Sequence, residues 1–216
     1  MSSVADQYLE AIFILRREGE DAFATTLADL FAVSRANAGA TLGRLARDGM
    51  VQADGRRVLL TSEGRQRAEA GLRRHLLTEC FLLKVLGIGW AEVHEQARSF
   101  ERGLSPLLEE RIDERLGYPR ACPHGTPIPR PNQPAPDPAG MPLTAAPPSV
   151  PLIIARISEL LEYRGEWLHF CAQHHLVPEA PLRILPESTV SISVALKEET
   201  VTIQPSLAAR IWVRPA

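Results

Sequence analysis

Lysine is nearly missing from this chain: only Lys84 and Lys197 occur, and every other cation is an arginine. That bias fits a GC-rich genome as readily as a phosphate-binding role and carries no functional weight. Cysteine is scarce too. Cys80, Cys122 and Cys171 are odd in number, far apart and without a CxxC pair, which excludes a disulfide framework or a structural zinc knuckle and fits a reducing cytosol. No apolar run approaches the roughly 20 residues needed to span a bilayer, and no basic n-region or cleavage site opens the chain. A soluble, untargeted, cytoplasmic protein with no membrane role is expected. An overall positive charge is also missing: the net charge of -2 and pI near 6.3 exclude a globally basic nucleic-acid coat protein.

What is present is unevenly placed. Between Ser34 and Arg74 nine arginines face only Asp48, Asp54, Glu63 and Glu69, so one segment is basic in a mildly acidic chain. The 216 residues suffice for more than one domain, each with a modest core. Tyr8, Leu9, Ile12, Phe13 and Leu15 recur at helical spacing, predicting a helix over about 4–18. Thr26 is expected to open a short helix through Leu27, Leu30 and Phe31. After the break at Ala32-Val33, Ser34 is a good N-cap for a third helix, which Asp48-Gly49 ends. Met50–Ala53, the turn Asp54-Gly55-Arg56-Arg57 and Val58–Thr61 read as a hairpin.

Three helices and a basic-tipped hairpin form the plan of a winged helix-turn-helix over 1–70, with the third helix facing a DNA major groove. Ser34, Arg35, Asn37, Thr41, Arg44 and Arg47 are short polar or cationic side chains suited to base edges and phosphates, with Thr26 beside them. Arg56 and Arg57 on the wing would grip the backbone. The competing reading is a small helical protein-interaction domain.

From Ser62 to Leu86 the pattern is one long helix, and Trp90 to Leu116 holds one or two more. Their apolar positions exceed what one helical unit needs, so 71–118 is expected to be a helical dimerisation domain, with metal binding expected there from its His and Glu spacing, and a homodimer is expected. Between Pro119 and Pro151 there are 12 prolines in 33 residues, which predicts an extended linker over 119–151. Beyond it Leu152–Ile157, Leu182–Ile184, Val190–Val194, Val201–Ile203 and Ile211–Val213 read as five short strands, with a helix around Glu166 to His174. A small SH3-like β-barrel over 152–216 follows. The fold class is mainly α with small β.

His75 and Glu79 lie one turn apart on a helix, as do His94, Arg98, Glu101 and Arg102 on the next. Two such faces could close around a divalent cation. The second face, however, carries two arginines, which offer a metal no lone pair. His124 and the His174-His175 pair read as ordinary surface histidines, and Cys122 as an incidental linker thiol.

Tyr8-Leu9-Glu10, the helix-turn-helix, Thr61-Ser62-Glu63-Gly64, Arg74-His75-Leu76-Leu77-Thr78-Glu79, Val93-His94-Glu95 and Cys122-Pro123-His124-Gly125-Thr126-Pro127-Ile128-Pro129 together resemble the diphtheria toxin repressor family of metal-dependent transcriptional regulators. The tail, from Ala155-Arg156-Ile157 through Leu176-Val177-Pro178 to Leu207-Ala208-Ala209, resembles the FeoA-type SH3-like domain of its three-domain members. The resemblance implies two Fe(II) or Mn(II) ions per subunit, a homodimer and a palindromic double-stranded DNA operator. It places an ancillary metal site at His75, Glu79 and His94, completed by Glu166, with Glu162 as the fallback. It places the primary site at Gln7, Glu10, Arg98, Glu101 and Arg102, where arginines replace ligands and only Glu10 and Glu101 remain as oxygen donors. Two arrangements stay open there: a salt-bridge cluster in place of the ion, or arginines turned to solvent.

The function implied is that of a Mn- or Fe-dependent regulator, a repressor of metal-uptake genes; Zn(II) or Co(II) would also bind such ligands in vitro. A metal-independent winged-helix regulator is a second reading. A small zinc hydrolase is a third, and it lacks HExxH, a Gly-rich phosphate loop or a nucleophile elbow.

Overall fold

The computed structural model describes residues 4–131, 133, 135–136, 140–148, 150–163, 165–185, 191–196 and 199–216. Helix α1 (Val4–Arg17) buries Tyr8 through Leu15. Helix α2 (Ala24–Leu30) begins two residues before Thr26, with no side-chain cap on Phe23. Helix α3 (Arg35–Arg47) is capped as its sequence suggests, the Ser34 hydroxyl accepting the Asn37 N–H at 3.2 Å. Strands β1 (Val51–Asp54) and β2 (Arg57–Leu60) pair antiparallel about Gly55.

Thr61 caps the 25-residue α4 (Ser62–Leu86), which stops at Gly87 in the left-handed region. Two glycines set how closely α4 is approached. A Cβ on Gly64 would collide with the Met50 carbonyl, and one on Gly71 with the Glu10 carboxylate. Helix α5 (Val93–Phe100), a 3-10 turn (Glu101–Gly103) and α6 (Pro106–Arg115) follow.

The second half is built on β3 (Met141–Pro142), β4 (Leu152–Ile157), β5 (Pro181–Ile184), β6 (Ile192–Leu196), β7 (Glu199–Ile203) and β8 (Ile211–Pro215), with helices α7 (Glu159–Glu162), α8 (Gly165–Gln173) and α9 (Pro205–Ala208). The strands form one sheet in the order β3-β8-β4-β5-β6-β7, with antiparallel pairing throughout. Six strands pair where five are expected, because Met141 and Pro142 add an edge beside Val213 and Trp212. Val190, the expected start of one strand, lies outside the described residues. The fold is mixed helix and sheet.

The expected extended linker is corrected in its first part. Cys122, His124, Thr126 and Ile128 are buried, and the Cys122 N–H donates to the Thr126 carbonyl at 2.9 Å. Proline disrupts a helix interior but does not forbid burial, and here local bonds satisfy the backbone. Gly125 has φ +89°, and a Cβ there would strike the Ala155 carbonyl. That approach lets the Ile157 N–H donate to the His124 carbonyl at 2.8 Å, tying this loop to β4.

Among the described residues two large hydrophobic cores form, one centred on α1–α4 and β1 and the other on the six-stranded sheet, with a small third cluster of Leu82, Val93 and Ala97 between α4 and α5. Helix α7 belongs to both large cores: Leu160 is buried in the first and Leu161 in the second.

Candidate metal centre

The i,i+4 spacing on α4 puts His75 and Glu79 on one face, and α5 presents His94 opposite. His75 Nε2 lies 3.1 Å from Glu79 Oε1 and 2.9 Å from His94 Nδ1. The fourth side chain is Glu162 at the end of α7, with Oε2 2.6 Å from His94 Nδ1. All four are buried, and one donor atom from each lies within 4.8 Å of the others. Glu166 does not take this place. It sits in the first turn of α8 and is exposed, because the chain turns at Tyr163 and carries the later carboxylate away from the cluster.

His124 and Cys122 are corrected as well. His124 is fully buried, with Nδ1 2.8 Å from Glu162 Oε1 and 3.4 Å from Glu79 Oε2. Cys122 Sγ accepts the His124 N–H at 3.3 Å. Glu79, Cys122 and His124 thus form a second donor group that shares Glu79 with the first. The sequence signal was the Cys-Pro-His-Gly run itself, whose surrounding prolines suggested exposure. His174 and His175, by contrast, lie in the second half, His174 pairing with Glu199 at 2.9 Å.

The donors fit a cation. Glu79 Oε2, both Glu162 oxygens and His124 Nδ1 are buried without a hydrogen bond of proper angle, although ion-pair distances separate them. Lone pairs crowded into a common space are costly unless something positive sits among them. Without a metal, protons serve. Burial would push His124 down, yet the Glu79 and Glu162 carboxylates hold it well above the usual imidazole range. His75 is opposed by burial and by Arg98, and the carboxylates of Glu79 and Glu101 still raise it to about 9. Glu162, despite burial and the repulsion of Glu79, is drawn down to about 2 by the neighbouring imidazoles.

Beside this centre lies a salt-bridge cluster. Arg98 Nη1 is 2.6 Å from Glu10 Oε2 and 3.4 Å from Glu101 Oε1. Glu101 also holds His75 Nδ1 at 2.8 Å, joining the cluster to the metal centre. Arg102 takes no part: it is exposed and donates to the Arg98 carbonyl. The 3-10 turn that begins at Glu101 breaks the α-helical register that would have stacked Arg102 above Arg98. Gln7 is half-buried and lines the groove between α1 and α3 instead. One guanidinium, not two, faces the carboxylates.

Comparison with known proteins gives the family. Residues 61–130 match the family described as iron dependent repressor, metal binding and dimerisation domain, and residues 141–215 match the FeoA domain. The iron-dependent repressor IdeR of Mycobacterium leprae is 36% identical over 125 residues, 57% of this chain and 54% of the relative. The diphtheria toxin repressor of Corynebacterium glutamicum is 34% identical over 57% of this chain and 55% of its own length. The chain thus spans about half the length of the curated relatives it matches. A manganese-dependent transcriptional repressor solved in complex with manganese superposes with TM-score 0.87 at 34% identity, over 99% of this chain and 100% of that one. The chain belongs to the diphtheria toxin repressor family. Such relatives are transcriptional repressors rather than enzymes, which leaves the hydrolase reading without support.

The side chains expected to face nucleic acid are less uniform than their spacing suggests. Ser34, Arg35, Asn37, Arg44, Arg47 and Arg56 are exposed. Thr41 is not: it is buried and accepts a hydrogen bond from Arg44 at 3.1 Å. Thr26 is half-buried within α2. Arg57 is tied to Asp21 at 3.0 Å.

Proposed function

We propose that this member of the diphtheria toxin repressor family is a Mn(II)- or Fe(II)-dependent, DNA-binding transcriptional repressor of metal-uptake genes. It works in the cytoplasm as a homodimer on a palindromic operator. The observation that carries the reading is the buried His75, Glu79, His94 and Glu162 cluster, whose donors come from α4, α5 and α7. A divalent ion there would supply to Glu79 and Glu162 the positive charge that protonated imidazoles supply without it. His75 and His94 offer imidazole nitrogens, and Glu79 faces both this group and the Cys122–His124 group. A nitrogen and oxygen set accepts Mn, Fe, Co and Zn, and the thiolate alternative leans toward Fe or Zn.

In this reading α1, α2, α3 and the β1–β2 hairpin act as a winged helix-turn-helix (1–70), residues 71–118 as the helical metal-binding and dimerisation unit, and residues 152–216 as an SH3-like domain that supplies Glu162. Arg35, Asn37 and Arg44 on α3 reach base edges and phosphates, and Arg56 reaches backbone from the wing. The apolar groove of Phe81, Phe100, Leu104, Leu108 and Ile112 supports self-association. Arg98 stands where the family's primary ion would, and supplies one fixed positive charge to Glu10 and Glu101.

That last contact also favours a second reading, in which DNA binding needs no metal because Arg98 already joins α1 to α5. One experiment separates them. Binding to a duplex selected in vitro with Mn(II)-loaded protein is followed by fluorescence anisotropy, with chelator and then with Mn(II) or anaerobic Fe(II). Affinity lost in chelator and restored by one metal supports the first reading; affinity indifferent to chelator supports the second.

A further inference from the structure

Tyr163 follows Glu162 directly, and its side chain leaves the metal centre in the direction of α2 and α3. Its ring meets Phe31 edge-on, with centroids 5.2 Å apart and planes at 81°. Phe31 in turn stacks on Tyr8 of α1 at 4.4 Å and 11°. The Tyr163 hydroxyl accepts from Arg98 Nη2 at 3.5 Å, and Arg98 is held by Glu10 of α1. One half-buried residue therefore touches α5 and the end of α2, and reaches α1 through Phe31 and Arg98.

Phe31 occupies a sensitive position. It ends α2, its N–H donating to the Leu27 carbonyl at 3.0 Å. Three residues later Ser34 caps α3. Between them Ala32 has φ +50°, the left-handed region that a residue with a Cβ adopts only at some cost. The angle between α2 and α3 is thus set by a short turn whose one large apolar side chain is clamped between Tyr8 and Tyr163.

We propose that Tyr163 is a positioning residue that links the metal centre to this turn. Helix α7 has only four residues, with Leu160 buried in one core and Leu161 in the other, and it ends with Glu162 inside the centre. With Glu162 drawn into the centre, Tyr163 is seated on Phe31 and the α2–α3 turn is fixed. Without an ion, contacts to His94 at 2.6 Å and His124 at 2.8 Å hold Glu162 there; ligation to an ion would hold it more tightly, and the turn would lose freedom. The inference rests on the metal-binding reading above and adds to it the route by which the centre reaches α3. The coupling is then a stiffening of α7 and of the turn it seats, with no change of fold required.

The test uses the full chain with Mn(II) as the probe and hydrogen exchange as the readout, so that no operator is needed. In the parent, saturating Mn(II) should slow amide exchange across residues 31–47 by about tenfold, within the usual range of coupling between sites. Tyr163→Phe keeps the ring contact and should retain that slowing. Tyr163→Leu keeps apolar bulk but loses the ring edge. It should leave less than about twofold slowing over 31–47, while Mn(II) affinity by calorimetry and metal-free exchange in α1 and α4 match the parent. Full slowing in Tyr163→Leu, or its loss in Tyr163→Phe, overturns the ring contact as the link. A parent that binds no Mn(II) at all overturns the metal reading itself, a result calorimetry shows separately.

Discussion

Replacing Arg98 by methionine removes a buried guanidinium and leaves carboxylates behind, and the structure sets both the size and the pH dependence of the loss. Glu101 keeps its contact to His75 at 2.8 Å, so the stranded group is Glu10, which is 1% exposed. Burial already raises Glu10 above its ordinary value of 4.5 even with Arg98 beside it; without Arg98 it rises further. A buried carboxylate escapes its charge by taking a proton, which caps the penalty. One pH unit is about 1.4 kcal/mol. From 4.5 the ceiling is therefore about 4 kcal/mol at pH 7.5 and about 1.4 kcal/mol at pH 5.5. Because the parent already bears part of this, Arg98→Met should lose about 2–3 kcal/mol at pH 7.5 and under about 1 kcal/mol at pH 5.5. The sign is fixed: a carboxylate whose folded pKa is raised loses stability as pH climbs above its unfolded value. Urea unfolding in the presence of chelator at the two pH values measures it, and Glu10→Gln combined with Arg98→Met should recover most of the loss. A deficit below about 0.5 kcal/mol, equal at both pH values, would refute the buried cluster.

His75→Ala and Glu162→Gln should each weaken Mn(II) binding by roughly tenfold or more, whereas Glu166→Gln should leave the calorimetric isotherm unchanged; an effect at Glu166 alone would return the fourth ligand to α8. Arg35→Ala should weaken binding to the selected duplex and lower the salt slope by about one unit, and wild-type affinity across salt would move the reading face off α3. Burial raises Glu159 to about 8 despite Arg156, so the parent should lose stability as pH rises from about 5 to 8. Glu159→Gln lacks that loss and should gain on the parent over the same window in thermal melts, and a gain in the opposite direction sinks the assignment.

Residues close in sequence carried most of what was legible. The spans of α1, α3 and α4, the Ser34 and Thr61 caps, the hairpin around Gly55 and the His75–Glu79 pair follow from local periodicity and capping, which one turn of chain contains. The family too was readable, because its motifs are short and ordered. What only the tertiary structure decided are the partners that arrive from far away. Glu162 displaces Glu166 because the turn at Tyr163 sets which carboxylate enters the centre. His124 and Cys122 enter because Gly125 lets a proline-rich loop press against β4. Arg98 turns inward and Arg102 outward because a 3-10 turn interrupts the helix between them, a break of register that side-chain spacing cannot foretell. A helical pattern states which face a residue occupies; the closing of α1, α4, α5 and α7 on one another decides what that face meets.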